Sequence, residues 1–470
     1  MQPWQLESNS RVGAAPRAGH VMFGGKTISA LRASRNFRES AGNAFYSVAE
    51  YIAQPLSMLV AAPYLVHKLG LSQYGIWMLV NAILGSVGIL STGFGDATVK
   101  YVSGYRGQNN PAGVERTIRA TLTINALLGG VFGLLVWAAA PYAVDHIFKI
   151  DPDFQAATVL AIRISAIILA IRSIESVFVS TLRAFERYGP PVKLNVFLRT
   201  VVVISAVVLA ALGRGVAAIM LATLLWSALV VILQVIATRR VVNNLTALPT
   251  FNRSALAEVF GFGCFSWLQA LAGVAFAYAD RFLIAGMIGT APLAIYVLCV
   301  QATQPIHGLG AAAFNFVFPH ISYRHQAGEL DGPRRVFRLA SWFSLAISVV
   351  LAFPLIAFGR PLLRLWMGGQ IADDAHVVLA LLAVAYTLMA VNVVPHYALL
   401  AFGRVRFIAA LNFASGIFLV VSMAVLVPAF GLVGAAVGRI AYSLVLAVPY
   451  LLFAREEFRS RAELVGVALS

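Results

Sequence analysis

The chain has 470 residues, 60% of them hydrophobic and only 11% charged, with a formal net charge of +16. A soluble fold of this length needs a polar surface, for which about 25% charged residues is usual, so a soluble protein is excluded and lipid is the solvent. The basic residues fall in short clusters between apolar runs, which is a mark of membrane topology and argues against a nucleic-acid partner.

In chain order, residues 1–40 carry Arg11, Arg17, Lys26, Arg32, Arg35 and Arg38 without an apolar h-region or an A-x-A site, and read as a basic cytoplasmic tail. Apolar runs of about 20 residues follow, each long enough to cross about 30 Å of hydrocarbon as a helix. We count twelve, at 43–66, 74–96, 117–140, 156–181, 192–212, 215–237, 257–279, 292–318, 337–358, 375–400, 405–427 and 432–453. Hydrocarbon leaves a backbone N–H without a partner, and the runs lack the period-two alternation of a barrel, so helices are required. The expected architecture is an all-α integral membrane protein of two six-helix bundles, at 41–240 and 255–455, with a second cytoplasmic tail at 456–470.

Charged groups inside spans need a partner, a wet cavity or a nearby interface. Glu50 lies about two turns into span 1 and reads as an ion-coupling group or the counter-charge of an arginine. Asp96, in Gly93-Phe94-Gly95-Asp96, ends span 2. Span 4 carries Arg163, Arg172 and Glu175; the last two share a face at i,i+3, while Arg163 lies about two and a half turns earlier on the opposite side and is placed to snorkel. Arg172 is either a cavity cation or half of an ion pair with Glu175. Asp280 and Arg281 sit near the end of span 7, where an ion pair is the default reading. Arg439 in span 12, near Gly431, Gly434 and Gly438, suits either a bidentate contact to a diphosphate or a pair with an acid of another span.

Cys264 and Cys299 lie in apolar stretches and read as small hydrophobes; His307 and His396 read as hydrogen-bonded core residues. No P-loop, no His/Cys ligand cluster and no nucleophile with a base at recognisable spacing is present. We therefore expect no catalytic residue, no metal, no cofactor and no enzyme activity, and any energy must come from an ion or substrate gradient.

Lys and Arg count 26 on the segments that alternate with the N-terminal tail and 6 on the opposite side, with three arginines inside spans. The positive-inside rule then puts both termini in the cytoplasm. The halves also repeat: Leu69-Gly70 matches Ile288-Gly289 and Ile76-Trp77 matches Ile295-Tyr296 at an offset of 219, Tyr105-Arg106 matches Tyr323-Arg324 at 218, and Asn195 matches Asn412 at 217. Six spans per half is even, so the repeat axis lies along the membrane normal.

The stretch Leu69-Gly70-Leu71-Ser72-Gln73-Tyr74-Gly75-Ile76-Trp77, with Gly93-Phe94-Gly95-Asp96-Ala97-Thr98 and the basic loop after it, resembles the N-terminal signature of bacterial polysaccharide flippases. These are O-antigen and exopolysaccharide repeat-unit (Wzx-like) flippases of the multidrug/oligosaccharidyl-lipid/polysaccharide (MOP) exporter superfamily. Ala279-Asp280-Arg281, Gly289 with Tyr296, and Pro319-His320-Ile321-Ser322 resemble the equivalent signature in the second half. The proline often found early in span 7 of that family is missing here, where the chain reads Phe260-Gly261-Phe262-Gly263. The resemblance implies a V-shaped pair of bundles in the bacterial inner membrane that moves an undecaprenyl-diphosphate-linked oligosaccharide to the outer leaflet by alternating access. It implies the lipid bilayer, a polysaccharide polymerase and a chain-length regulator as partners, with Arg172, Arg439 and Arg163 toward the diphosphate. The competing reading within that fold is a cation-coupled multidrug exporter, in which Glu50, Glu175, Asp96 and Asp280 would carry the coupling.

Overall fold

The structure is a computed structural model, described for residues 57–88, 92–242, 248–326 and 331–468. The described residues are helical almost throughout. α1 (57–87) is interrupted at Gly70, whose φ of +78° no right-handed helix contains. α2 (Thr92–Gly107), α3 (Pro111–Tyr142), α4 (Pro152–Ala184), α5 (Gly189–Ala211) and α6 (Val216–Arg239) complete the first half. The second half holds α7 (Arg253–Met287), α8 (Thr290–Ala313), α9 (Val317–Gln326), α10 (Asp331–Ala357), α11 (Gly359–Met367), α12 (Gly369–Val391), α13 (Val393–Ala401) and α14 (Val405–Ala468), the last broken at Gly431.

Seven helices among the described residues are long and apolar enough to cross a bilayer. Most of span 1 and residues 89–91 of span 2 lie outside the described residues, α7 holds no charged residue over 259–279 between Glu258 and Asp280, and α8 carries Pro305 and His307. Two connections between spans contain helix. Residues 141–155 hold a π-helical turn at Ala143–Ile147 between the end of α3 and the start of α4, and the connection before span 10 contains α11, whose Leu362 and Leu365 stand exposed beside Arg360 and Arg364 in the manner of an interfacial amphipathic helix.

The repeat is written into the backbone. Left-handed residues recur as Gly70 with Gly289, Glu186 with Gly403, and Gly213 with Gly431, at offsets of 219, 217 and 218. Each pair falls between corresponding consecutive spans of the two halves, where a chain reversal calls for positive φ.

Helices α2 to α6 pack on one another around α4, and α8 to α14 around α12. Small residues set the closest approach. A Cβ at Gly129 of α3 would stand 2.7 Å from Ser173 of α4, and one at Gly133 would stand 2.9 Å from the Ala166 carbonyl, so this four-residue spacing lets the two backbones meet. Links between the two sets run through α1, α7 and the 143–151 turn. Tyr74 Oη donates to Gln301 at 3.3 Å, Lys149 N–H donates to the Ala285 carbonyl at 3.0 Å, Trp366 Nε1 donates to the Leu59 carbonyl at 2.9 Å, and Gly75 lies against the Thr290 backbone. All of these lie at the end remote from the basic clusters, and there Tyr74, Trp77, Leu293 and Tyr296 form one buried core across both sets. Leu134, Leu135, Leu225, Val350 and Phe353 point outward and exposed, as they must when lipid is the solvent.

At the basic end α7 leans on the first set instead. Tyr105 Oη donates to Glu258 at 2.7 Å, and Phe94 packs on Phe260 with ring centroids 6.0 Å apart and fills the space beside Gly263. α7 thus runs from the first set at the basic end to α14 of the second set at the other. No proline interrupts it, matching the Phe-Gly-Phe-Gly stretch read from the sequence.

Candidate functional site

Arg172 lies near the middle of α4, where a guanidinium in hydrocarbon is costly unless something receives it. The orientation of α4 is fixed from the opposite direction. Asn125 of α3 donates to the Ser173 carbonyl and to Ser176 Oγ, both at 3.0 Å, which seats the serine face of α4 on α3. Arg172 is half-buried with its Nε buried and unbonded, and among the described residues it forms neither a hydrogen bond nor an ion pair within 4 Å. The charges acting on it are Glu175, one turn on, and Arg199 of α5. Glu175 is itself only 7% exposed. The alternative of a closed Arg172–Glu175 ion pair is therefore not the arrangement present, and the other charge acting on Arg172, that of Arg199, is positive.

Arg163 is placed elsewhere. Its guanidinium lies over the Trp137 ring at 4.3 Å from the centroid, and Trp137 is 44% exposed on the outer face of α3. That is a cation–π contact at an edge of the apolar belt, about 13.5 Å along the helix axis from Arg172.

Arg439 and Asp280 come together, 159 residues apart in sequence. Arg439 Nη1 donates to Asp280 Oδ2 at 3.4 Å, and the guanidinium sits between the rings of Tyr386 and Tyr442 at 5.6 and 5.5 Å. Tyr296 Oη donates to the same carboxylate oxygen at 3.0 Å, and the Arg281 backbone N–H donates to the other at 2.9 Å. Asp280 is 1% and Arg439 8% exposed. Asp280 is thus a buried, fully partnered carboxylate and not an interfacial one. Of the two roles open to Arg439, the structure contains the pair with an acid of another span.

Asp96 is exposed at the start of α2, near Arg183 of α4, with the adjoining Gly95 lying on Ser180. Glu50 lies outside the described residues. The three arginines named from the sequence do not converge: the polar neighbours of Arg172 belong to the first half, and those of Arg439 to α7 and the second half. Sequence reasoning missed the tyrosines around Arg439. Only Tyr296 carried a signal, as the repeat partner of Trp77.

A helical membrane chain with a twofold internal repeat is an architecture many transporters share, and comparison with known proteins gives the same class. The model of the family described as "Polysaccharide biosynthesis protein" matches residues 68–332, and the chain belongs to that family. It is 21% identical over 404 residues to a candidate O-antigen transporter of Shigella flexneri, covering 84% of this chain and 93% of the relative. Its fold is that of MOP-superfamily transporters. An inward-facing multidrug resistance MATE transporter superposes with a TM-score of 0.74 at 16% identity, over 88% of this chain and 98% of that one. The lipid II flippase MurJ, in an inward closed conformation, superposes at 0.69 and 12% identity over 88% and 87%.

Proposed function

We propose that this transporter is a flippase for undecaprenyl-diphosphate-linked oligosaccharides, moving repeat units from the cytoplasmic to the periplasmic leaflet for surface polysaccharide synthesis, and that it does so without catalysing a reaction. The observation that carries this reading is Arg172. A guanidinium stays charged when buried and offers paired N–H donors that fit phosphate oxygens. Held in mid-membrane beside Arg199 and without an ion pair, it suits an anionic ligand far better than a drug cation. Membership of a polysaccharide-synthesis family, and likeness to a lipid II flippase and a candidate O-antigen transporter, support the same substrate class.

The basic end faces the cytoplasm in this reading, in line with the positive-inside rule. The packed seam at the opposite end then closes the periplasmic side, so substrate enters from the cytoplasm and leaves when the seam parts. Arg439 holds α7 to α14 through Asp280, and Arg163 anchors α4 at the outer interface. The multidrug-exporter alternative rests on Glu175, a buried carboxylate without a bonded partner. Export of surface polymer in cells lacking their own flippase separates the two. Arg172→Ala abolishes export at normal membrane level, Arg172→Lys restores it partly, and Glu175→Gln leaves it largely intact. Normal export in Arg172→Ala cells overturns the assignment.

A further inference from the structure

A cavity of about 280 Å³ lies inside the second half, bounded by α8, α12, α13 and α14. Asn392 stands at the break between α12 and α13, 4% exposed, and neither its amide oxygen nor its amide nitrogen has a partner. Across the cavity, His307 of α8 presents a buried Nδ1 that is also unbonded. The remaining polar lining is largely tied back into the protein. His396 Nδ1 lies 3.3 Å from Tyr450 Oη, which donates to Asn412 at 3.1 Å, and Tyr397 Oη donates to the Ala311 carbonyl at 3.2 Å. The rings of Tyr397, Tyr442 and Tyr450 supply flat apolar faces.

The fold does not require this lining. At the offset of 217 fixed by Glu186 and Gly403, Asn392 takes the place of Glu175 and His396 that of Val179; at the 218 of Gly213 and Gly431, Tyr442 and Tyr450 take the places of Leu224 and Ile232. Asn412 keeps its counterpart Asn195, but at these four positions the first half carries one acid and three apolar residues where the second carries an amide, an imidazole and two tyrosines.

We propose that this cavity is a carbohydrate subsite that holds one uncharged sugar ring of the flippase substrate, a proposal that rests on the flippase reading. An amide with both its donor and its acceptor open matches two adjacent hydroxyls, each of which donates and accepts. A sugar's C–H face fits the aromatic walls, the usual make-up of a small-molecule pocket. No Asp, Glu, Lys or Arg lines the cavity, so it offers no counter-charge to a phosphate or a free cation. A water needs about 10–15 Å³ of such space, so the cavity is far larger than one bridging water requires. Charge recognition through Arg172 in the first half and sugar recognition through Asn392 in the second divide the substrate between the halves.

The test is saturation-transfer NMR on the full-length protein in lipid nanodiscs, with free N-acetylglucosamine, N-acetylgalactosamine, glucose, galactose and rhamnose as probes and glycerol as control. At least one neutral sugar receives saturation, glycerol does not, and inorganic phosphate does not compete. Asn392→Leu weakens the bound sugar tenfold or more, and so does His307→Phe, which guards against a folding defect in the first variant. Absence of transfer to every sugar, or transfer in both variants as strong as in the wild type, overturns the subsite. This assay does not depend on export, so its failure is distinct from failure of the flippase reading, which the Arg172 export assay judges.

Discussion

Arg439 Nη1 lies 3.4 Å from Asp280 Oδ2, and this ion pair ties α14 to α7, a helix that touches both halves. Both groups are nearly inaccessible, so each depends on the other to offset the loss of hydration.

Removing one partner strands the other. Arg439→Leu or Asp280→Asn is expected to cost about 3–5 kcal/mol, the range for breaking a buried pair. Thermal unfolding of the detergent-solubilised protein, followed by fluorescence-detected size exclusion, should show a marked fall for each single variant. The double variant Arg439→Leu with Asp280→Leu should recover most of it. Equal destabilisation by the single and double variants would mean that the contact is incidental.

The contact between Tyr105 Oη and Glu258 holds the basic end of α7 on α2 at 2.7 Å. Tyr105→Phe removes one hydrogen bond to a partly buried carboxylate and is expected to cost about 1 kcal/mol. The same unfolding assay should record a small fall with normal membrane insertion. No change would show that α7 is held there by its apolar contacts with Phe94 alone.

The seam remote from the basic clusters brings Ile147 against Gly286, where a Cβ would stand 3.0 Å from the Ile147 carbonyl. In a background of Cys264→Ser and Cys299→Ala, cysteines introduced at both positions should cross-link under oxidation and stop polymer export, with reductant restoring it. Export that continues while the cross-link is complete would show that this seam does not open during transport.

Orientation is open to a direct reading. Alkaline phosphatase fused after Ala468 is expected to be inactive, as it is in the cytoplasm, and the same reporter inserted at Gly213 is expected to be active. The reverse result would place the basic end outside and remove the proposed direction of transport.

Much of the fold was legible in the sequence because bilayer thickness and backbone hydrogen bonding leave few choices. Among the described residues the apolar runs fall on helices, although α3, α4 and α7 extend several residues beyond them, since a helix does not stop where hydrocarbon ends. The repeat was visible at Gly70 and Gly289, where glycine appears in both copies. It was hidden between Glu186 and Gly403, where the same backbone conformation carries different residue types.

The site was less legible. Arg172 stood out because an intramembrane charge is rare, yet nothing local could tell that its neighbour Glu175 would remain unbonded to it. The pairing of Arg439 with Asp280 spans 159 residues, and one sequence carries no trace of it. The sequence does not single out Asn392 or set His307 and His396 apart from core residues, because a neutral polar residue in a membrane helix declares itself only when its partners can be counted.

The most direct measurement is the affinity of purified protein in nanodiscs for undecaprenyl diphosphate, compared between wild type, Arg172→Lys and Arg172→Ala. Hydrogen bonds to a charged group contribute about 1.5–3 kcal/mol, so Arg172→Ala should bind at least tenfold more weakly, with Arg172→Lys in between. Equal affinity in wild type and Arg172→Ala would contradict the assignment of this arginine to the diphosphate.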